Sequence, residues 1–252
     1  LQRLIVPLII EQFLAITIGM ADTVMVASCG EAAVSGVSLV DSINILLINI
    51  FSALATGGAI IASQYIGREQ MNKARESAKQ LVLSVFVLSA VIGGICIFGG
   101  PQILGFLYHD IDHSVMGNAE IYFFLTALSY PFIALYNAGA ALFRAMGNSK
   151  ISMIISIVMN FINIGGNALF IFGFQMGAAG AALATLISRV ISAVFILVLL
   201  RRPSNSIYIE SYLHLEFHPK MIRSILEIGI PNGLENGMFQ LGKIIIQGMI
   251  AS

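Results

Sequence analysis

Two carboxylates stand where this chain is most apolar. Glu11 and Asp22 both fall inside a run of about residues 4–27 that carries almost nothing else polar. At about 100° per residue, eleven positions return almost to the same helical face, and they advance about 16 Å along the axis. Glu11, Ala15, Ile18 and Asp22 therefore form one stripe, with Asp22 the farther out. A lone carboxylate in a low-dielectric setting takes up a proton or binds a cation. The plainer alternative is a wet position for Asp22 at the outer interface. Asn160, Asn163 and Asn167 share one face of another run, residues 151–172. Three amides there either bond neighbouring helices or offer carbonyl oxygens to a hard cation such as Na+; spacing alone favours packing. In a third run, Asp41 reads as solvated near an outer mouth, and Asn44 and Asn49 as bonds between helices. Arg189 and Lys243 also fall within apolar runs, where charges are costly and turn toward a bundle interior or a watery cavity.

Other chemistry is thin. His109 and His113 flank two acids at a spacing that could hold a metal, but no further ligands stand near them in the sequence. His214 and His218 read better as part of an amphipathic linker, and they lack the HExxH order. Cys29 and Cys96 both sit in apolar stretches, with no CxxC and no disulfide framework. No nucleophile elbow, phosphate loop or dinucleotide fingerprint occurs, so the expectation is a protein that is not an enzyme and carries no cofactor or resident metal.

The elements that must position these residues follow from composition. Of 252 residues, 58% are hydrophobic and only 10% are charged, with a net charge of zero. A soluble domain carries roughly 25% charge. This chain has too little polar surface to cover itself in water, which excludes a soluble enzyme, a nucleic-acid binder and a disordered chain. The apolar runs are long and lack barrel-type alternation, so the expected fold class is an all-α polytopic membrane protein. Seven spans are expected, at about 4–27, 37–63, 78–99, 119–142, 151–172, 178–200 and 225–252. Pro7, Pro131 and Pro231 lie inside spans and kink them or pack passively. Gly57–Gly58, Gly93–Gly94 and Gly165–Gly166 permit close helix approach.

Charge fixes the expected orientation. Of 13 basic residues, 11 (Arg3, Arg68, Lys73, Arg75, Lys79, Arg144, Lys150, Arg201, Arg202, Lys220 and Arg223) flank alternate connectors, and the opposite connectors hold none. The positive-inside rule makes the basic side, and with it the N-terminus, cytoplasmic.

The first and seventh spans resemble each other. Pro7 precedes Glu11–Gln12 as Pro231 precedes Glu235–Asn236, at an offset of 224 residues or six spans. With the chain stopping inside an apolar run, this predicts a piece of a six-plus-six transporter. The expected units are a six-helix lobe over 1–200, a cytoplasmic linker over 201–221, and the first helix of a second lobe over 222–252.

Several segments then resemble the multidrug and toxic compound extrusion (MATE) family. They are Pro7 with Gln12 and Met20–Val26 (MADTVMV), Gly30–Gly36 (GEAAVSG), Gln64–Arg68 (QYIGR) and Leu142–Asn148 (LFRAMGN). Asn163–Gly173 (NIGGNALFIFG) and Gly177–Thr185 (GAAGAALAT) with Arg189 complete the set. The resemblance covers essentially the whole chain, at about half the family's length. It implies an antiporter that exports amphipathic, often cationic, drugs or toxic compounds in exchange for H+ or Na+ by alternating access. It implies no enzymatic activity, a plasma (inner) membrane location, small-molecule and lipid partners, no nucleic acid, and a monomer at full length. One branch of the family couples ions through positions that fall here on Asp22, Asn163, Asn167 and Thr185, with Asn137 a further candidate. That branch has an acid where this chain has Asn167, which tilts the expectation from Na+ toward protons. Glu11, Gln12, Met20, Asn44, Glu235 and Gln240 are the candidates for lining the substrate cavity. A lipid-linked sugar flippase of related fold is the alternative, although such flippases use several cavity cations and only Arg189 and Lys243 are candidates here. A retinal receptor, raised by Lys243, conflicts with the N-inside charge bias and the absence of Trp.

Overall fold

The structure, a computed structural model, describes residues 2–108, 112–210, 212 and 217–251, without the side chains of residues 2–4, 15, 18, 236–237 and 239–251. Among the described residues eight α-helices follow in order: α1 Gln2–Ala27, α2 Glu31–Gly67, α3 Met71–Leu107, α4 His113–Leu128, α5 Tyr130–Ala145, α6 Ser149–Asn167, α7 Gly177–Leu200 and α8 Pro219–Ala251. A π-helical turn, Ala168–Gly173, extends α6. Among the described residues, five helices are long and apolar enough to cross a membrane; α4 and α5, bent by 45°, make a sixth if taken as one span. The protein is an all-α integral membrane protein.

Helix ends differ from the hydropathy reading. The connectors expected at 28–36 and 64–77 shrink to tight turns, and the one expected at 100–118 shortens, because α2 and α3 each run 37 residues. At 1.5 Å per residue each spans about 55 Å, well beyond a hydrocarbon core of about 30 Å. Hydropathy sees only the part of a helix in lipid, whereas backbone bonding continues through polar residues such as those between Met71 and Lys79. Span four is broken rather than continuous. Pro131 supplies no N–H for the Ala127 carbonyl, the Ser129 hydroxyl caps the neighbouring Thr126 carbonyl at 2.6 Å, and Gly93 of α3 packs where a Cβ would come 3.1 Å from Ala127 O.

The interior is built around α2 and α5, which pack on each other, with α3, α4 and α7 around them. α6 joins α7 on one side and α1 on the other. α8 lies along α2, where Gly57 and Gly229 bring the two backbones together. The basic connectors converge at one end. Ile207 N–H meets Met146 Sδ at 3.3 Å, Arg75 stacks on Tyr208 at 4.2 Å, and His218 Nδ1 lies 2.9 Å from Glu76.

Candidate ion-coupling site

α1 presents two unlike faces. Ile9, Phe13, Ile16, Met20 and Val24 are all exposed from the bundle, at three- and four-residue spacing that marks one helical stripe. The opposite stripe turns its carboxylates inward, toward α6. At the C-terminal end of α6, Asn167 donates a hydrogen bond from Nδ2 to Asp22 Oδ1. The same amide lies 3.5 Å from Asn163 Oδ1, and Asn163 Nδ2 donates to Thr185 Oγ1 of α7 at 3.1 Å. Asn163, Asn167 and Thr185 are all buried. Three helices thus meet in one line of polar contacts that ends on a carboxylate. Four of the five residues singled out for ion coupling are brought together. Asn137, the fifth, sits on α5, and its Nδ2 is buried without a partner among the described residues.

A second polar group abuts the first. Asp41 is not simply solvated at a mouth: Tyr122 of α4 donates to its Oδ1 at 3.1 Å, and Asn44 donates at 3.3 Å. Asn44 accepts in turn from Tyr130 at 2.7 Å. Arg189 donates from Nη1 to Ser129 at the α4–α5 break, 2.7 Å away, and the charges of Asp41 and Asp22 both act on it. It makes no direct ion pair with either among the described residues. The guanidinium therefore pins the broken helix while lending positive potential to both acids.

The residues expected along a substrate cavity divide. Gln12, Met20 and Glu235 are exposed. Asn44 is not on an open wall, because Tyr130 and Asp41 hold it inside the lobe. Glu11 is likewise engaged: Ser152 donates to its Oε2 at 3.1 Å, and Tyr136 and Arg144 reach its Oε1 at 3.3 and 3.4 Å. Gln240 and Lys243 lie outside the described side chains, as does His109 of the paired-histidine segment. Among the described residues no three potential metal ligands cluster, and Cys29 and Cys96 are both free thiols. Sequence reasoning missed Tyr122, Tyr136, Ser129 and Ser152 as partners of the charged side chains, and Tyr130 as the partner of Asn44. A tyrosine in an apolar run reads as core, and only its OH direction, set by the fold, makes it a donor.

Comparison with known proteins agrees with this architecture. The sequence model of the MatE family matches residues 7–169. An uncharacterized transporter, YisQ of Bacillus subtilis, is 30% identical over 97% of this chain and 54% of its own length. The multidrug export protein MepA of Staphylococcus saprophyticus is 25% identical over 98% of this chain and 54% of its own. Among solved structures, a multidrug resistance MATE family transporter in an outward-facing conformation superposes with a TM-score of 0.87 at 21% identity, covering 96% of this chain and 52% of that one. An inward-facing MATE structure superposes with a TM-score of 0.82 at the same identity, covering 95% of this chain and 55% of that one. The chain thus spans about half the length of the curated relatives it matches. With the family match running from α1 into the π-turn after α6, through Asp22, Asn163 and Asn167, this chain belongs to the MatE family of membrane transporters.

Proposed function

We propose that the protein exports amphipathic, cationic compounds from the cell in exchange for protons, and that Asp22 is the group that takes up the coupling ion. The observation that carries this is the buried line Thr185–Asn163–Asn167–Asp22. It places the only acid of that line on α1, the helix whose other face is turned out of the bundle. Relatives are named as a multidrug export protein and as a probable multidrug resistance protein, which supports the substrate class. In this reading residues 1–200 form one lobe, 201–221 a cytoplasmic linker and 222–252 the start of a second lobe, with the N-terminus on the cytoplasmic side of the plasma membrane. The two lobes rock about a central cavity. Protonation of Asp22 removes a charge from the α1–α6 contact, shifts the packing of α1 and lowers affinity for a cation, which leaves. Coupling then rests on different affinities in two states.

Two features favour H+ over Na+. The line itself holds one carboxylate, and although Asp41 adds a second negative charge nearby, the Arg189 guanidinium opposes it, so a bound Na+ is only just neutralised. The test is ethidium efflux from pump-deficient cells expressing the full-length protein, with the proton gradient present or collapsed by an uncoupler. Gradient-dependent efflux is expected; efflux that persists in the uncoupler and follows Na+ would overturn the choice of ion. A companion variant sharpens it. Asn167→Asp adds a second carboxylate beside Asp22 and is expected to create Na+ affinity. The purified variant should melt a few degrees higher in NaCl than in choline chloride, since a ligand that binds only the folded state stabilises it. The wild type should show no difference between the two salts.

A further inference from the structure

α6 carries a polar edge longer than the coupling site needs. Ser149, Ser152, Ser156, Asn160, Asn163 and Asn167 are all buried. They recur at three and four residues, so they line one helical face. α1 packs against α6 and places a carboxylate at each end of the edge. Asp22 meets Asn167; Glu11 meets Ser152 at 3.1 Å. From Ser152 to Asn167 is about 22 Å along the axis. The Tyr136 hydroxyl of α5 lies 3.3 Å from Glu11, with the Ser156 side chain beside it.

Bonds to neighbouring helices account for only part of this edge. Asn160 spends its Nδ2 on the Ser156 carbonyl of its own helix, at 2.8 Å, so that amide donor ties no neighbour. Its Oδ1, the Asn167 Oδ1 and the Ser149 hydroxyl are buried with no hydrogen-bond partner among the described residues. They are three of only five such side-chain atoms. Native interiors leave few such atoms unpaired, and ordered water is their usual partner.

We propose that this edge, with water between its amides and hydroxyls, is a proton path inside the lobe that joins Asp22 to Glu11. The inference rests on the proton-coupled reading above and extends it inward. Asp22 gives its proton to the adjoining water and becomes a carboxylate. Each water or serine hydroxyl along the edge accepts one proton and passes another on, and Glu11 receives one and releases it at the Arg144 end. One proton moves and no bond order changes elsewhere. The amides orient the water and do not carry charge. Asp22 is faced by Asp41 of α2 and Arg189 of α7, and Glu11 by Tyr136 and Arg144 of α5. Arg144 Nη1 lies 3.4 Å from Glu11 Oε1, at the end of the edge where the proton leaves.

The experiment uses the full-length transporter in liposomes and compares two modes with ethidium as the probe. Net uphill transport under a proton gradient requires the path; ethidium counterflow at equal pH requires no net proton movement. Asn160→Leu touches neither carboxylate. It is expected to lower net transport about tenfold while counterflow stays within about twofold. Ser156→Ala provides the same comparison if Asn160→Leu does not fold. Glu11→Gln keeps an acceptor for Ser152 but carries no proton, and should show the same split, with Glu11→Asp restoring net transport. Equal loss in both modes, or no loss in either, would overturn the path. A wild type whose uphill transport ignores the gradient, or an Asp22→Asn variant that remains coupled, would instead sink the underlying functional reading.

Discussion

Asp22→Asn is expected to abolish gradient-driven efflux, by about a hundredfold or more, while leaving the protein folded and in the membrane. The magnitude follows from the role. A coupling group must exist in two charge states within each cycle, and an asparagine has one. The neutral amide keeps nearly the same shape and can still accept a hydrogen bond from Asn167, so the α1–α6 contact survives. The variant stays close to the protonated form, in which affinity for a cation is low. Uphill ethidium efflux and proton release should vanish together, whereas thermal stability in detergent should match the wild type. Removal of Thr185, at the far end of the line, should be milder. Thr185→Ala breaks the 3.1 Å bond to Asn163 without touching the acid, and a loss of about three- to tenfold is expected, the range for one buried hydrogen bond. Efflux by Asp22→Asn equal to that of wild type, at equal expression, would remove Asp22 from the mechanism.

How much of this was legible in the sequence depends on which residues are asked about. The stripe Glu11 to Asp22 followed from helical arithmetic alone, because a membrane helix leaves each side chain one angular position. The alignment of Asn160, Asn163 and Asn167 followed in the same way. What the arithmetic could not supply was partnership between helices. Arg144 was counted as a loop cation, yet it reaches back to Glu11 at 3.4 Å. Asp41 seemed free to be wet, yet two donors hold it. Both errors have one cause: a polar residue near a span end is read against water, while the fold sets another helix there. The broken fourth span was legible only in part. Pro131 marked a kink, but the seating of Ser129 against Arg189 depends on how α7 crosses the break. The connector lengths were misjudged because hydropathy reports lipid contact and α2 and α3 continue beyond it.

The glycine pairs show the same limit and yield the second large expected effect. Each pair was read as permitting close approach, but within a pair the two members are not equivalent. A Cβ on Gly57 would stand 2.7 Å from Gly229 N and 2.8 Å from its Cα, both backbone atoms of α8. The reciprocal Cβ on Gly229 would stand 3.0 Å from Leu54 Cα. The atoms nearest a Cβ on Gly58 belong to the Leu81 side chain, and a Cβ on Gly94 or Gly165 would meet nothing within 4 Å. Backbone cannot rotate away as a side chain does, so Gly57→Leu must drive α2 and α8 apart along their shared seam. It is expected to abolish the monodisperse full-length protein in size-exclusion chromatography after detergent extraction, and Gly57→Ala to lower its melting temperature by several degrees, in line with overpacking costs of about 1–3 kcal/mol. Gly94→Leu faces open space and removes a helix-weakening glycine, so it should leave the profile unchanged or improve it. The contrast matters because α8 begins the second lobe in the reading above. If Gly57→Leu and Gly94→Leu behave alike, the α2–α8 seam bears no load, and the route by which movement of this lobe reaches the next must run elsewhere.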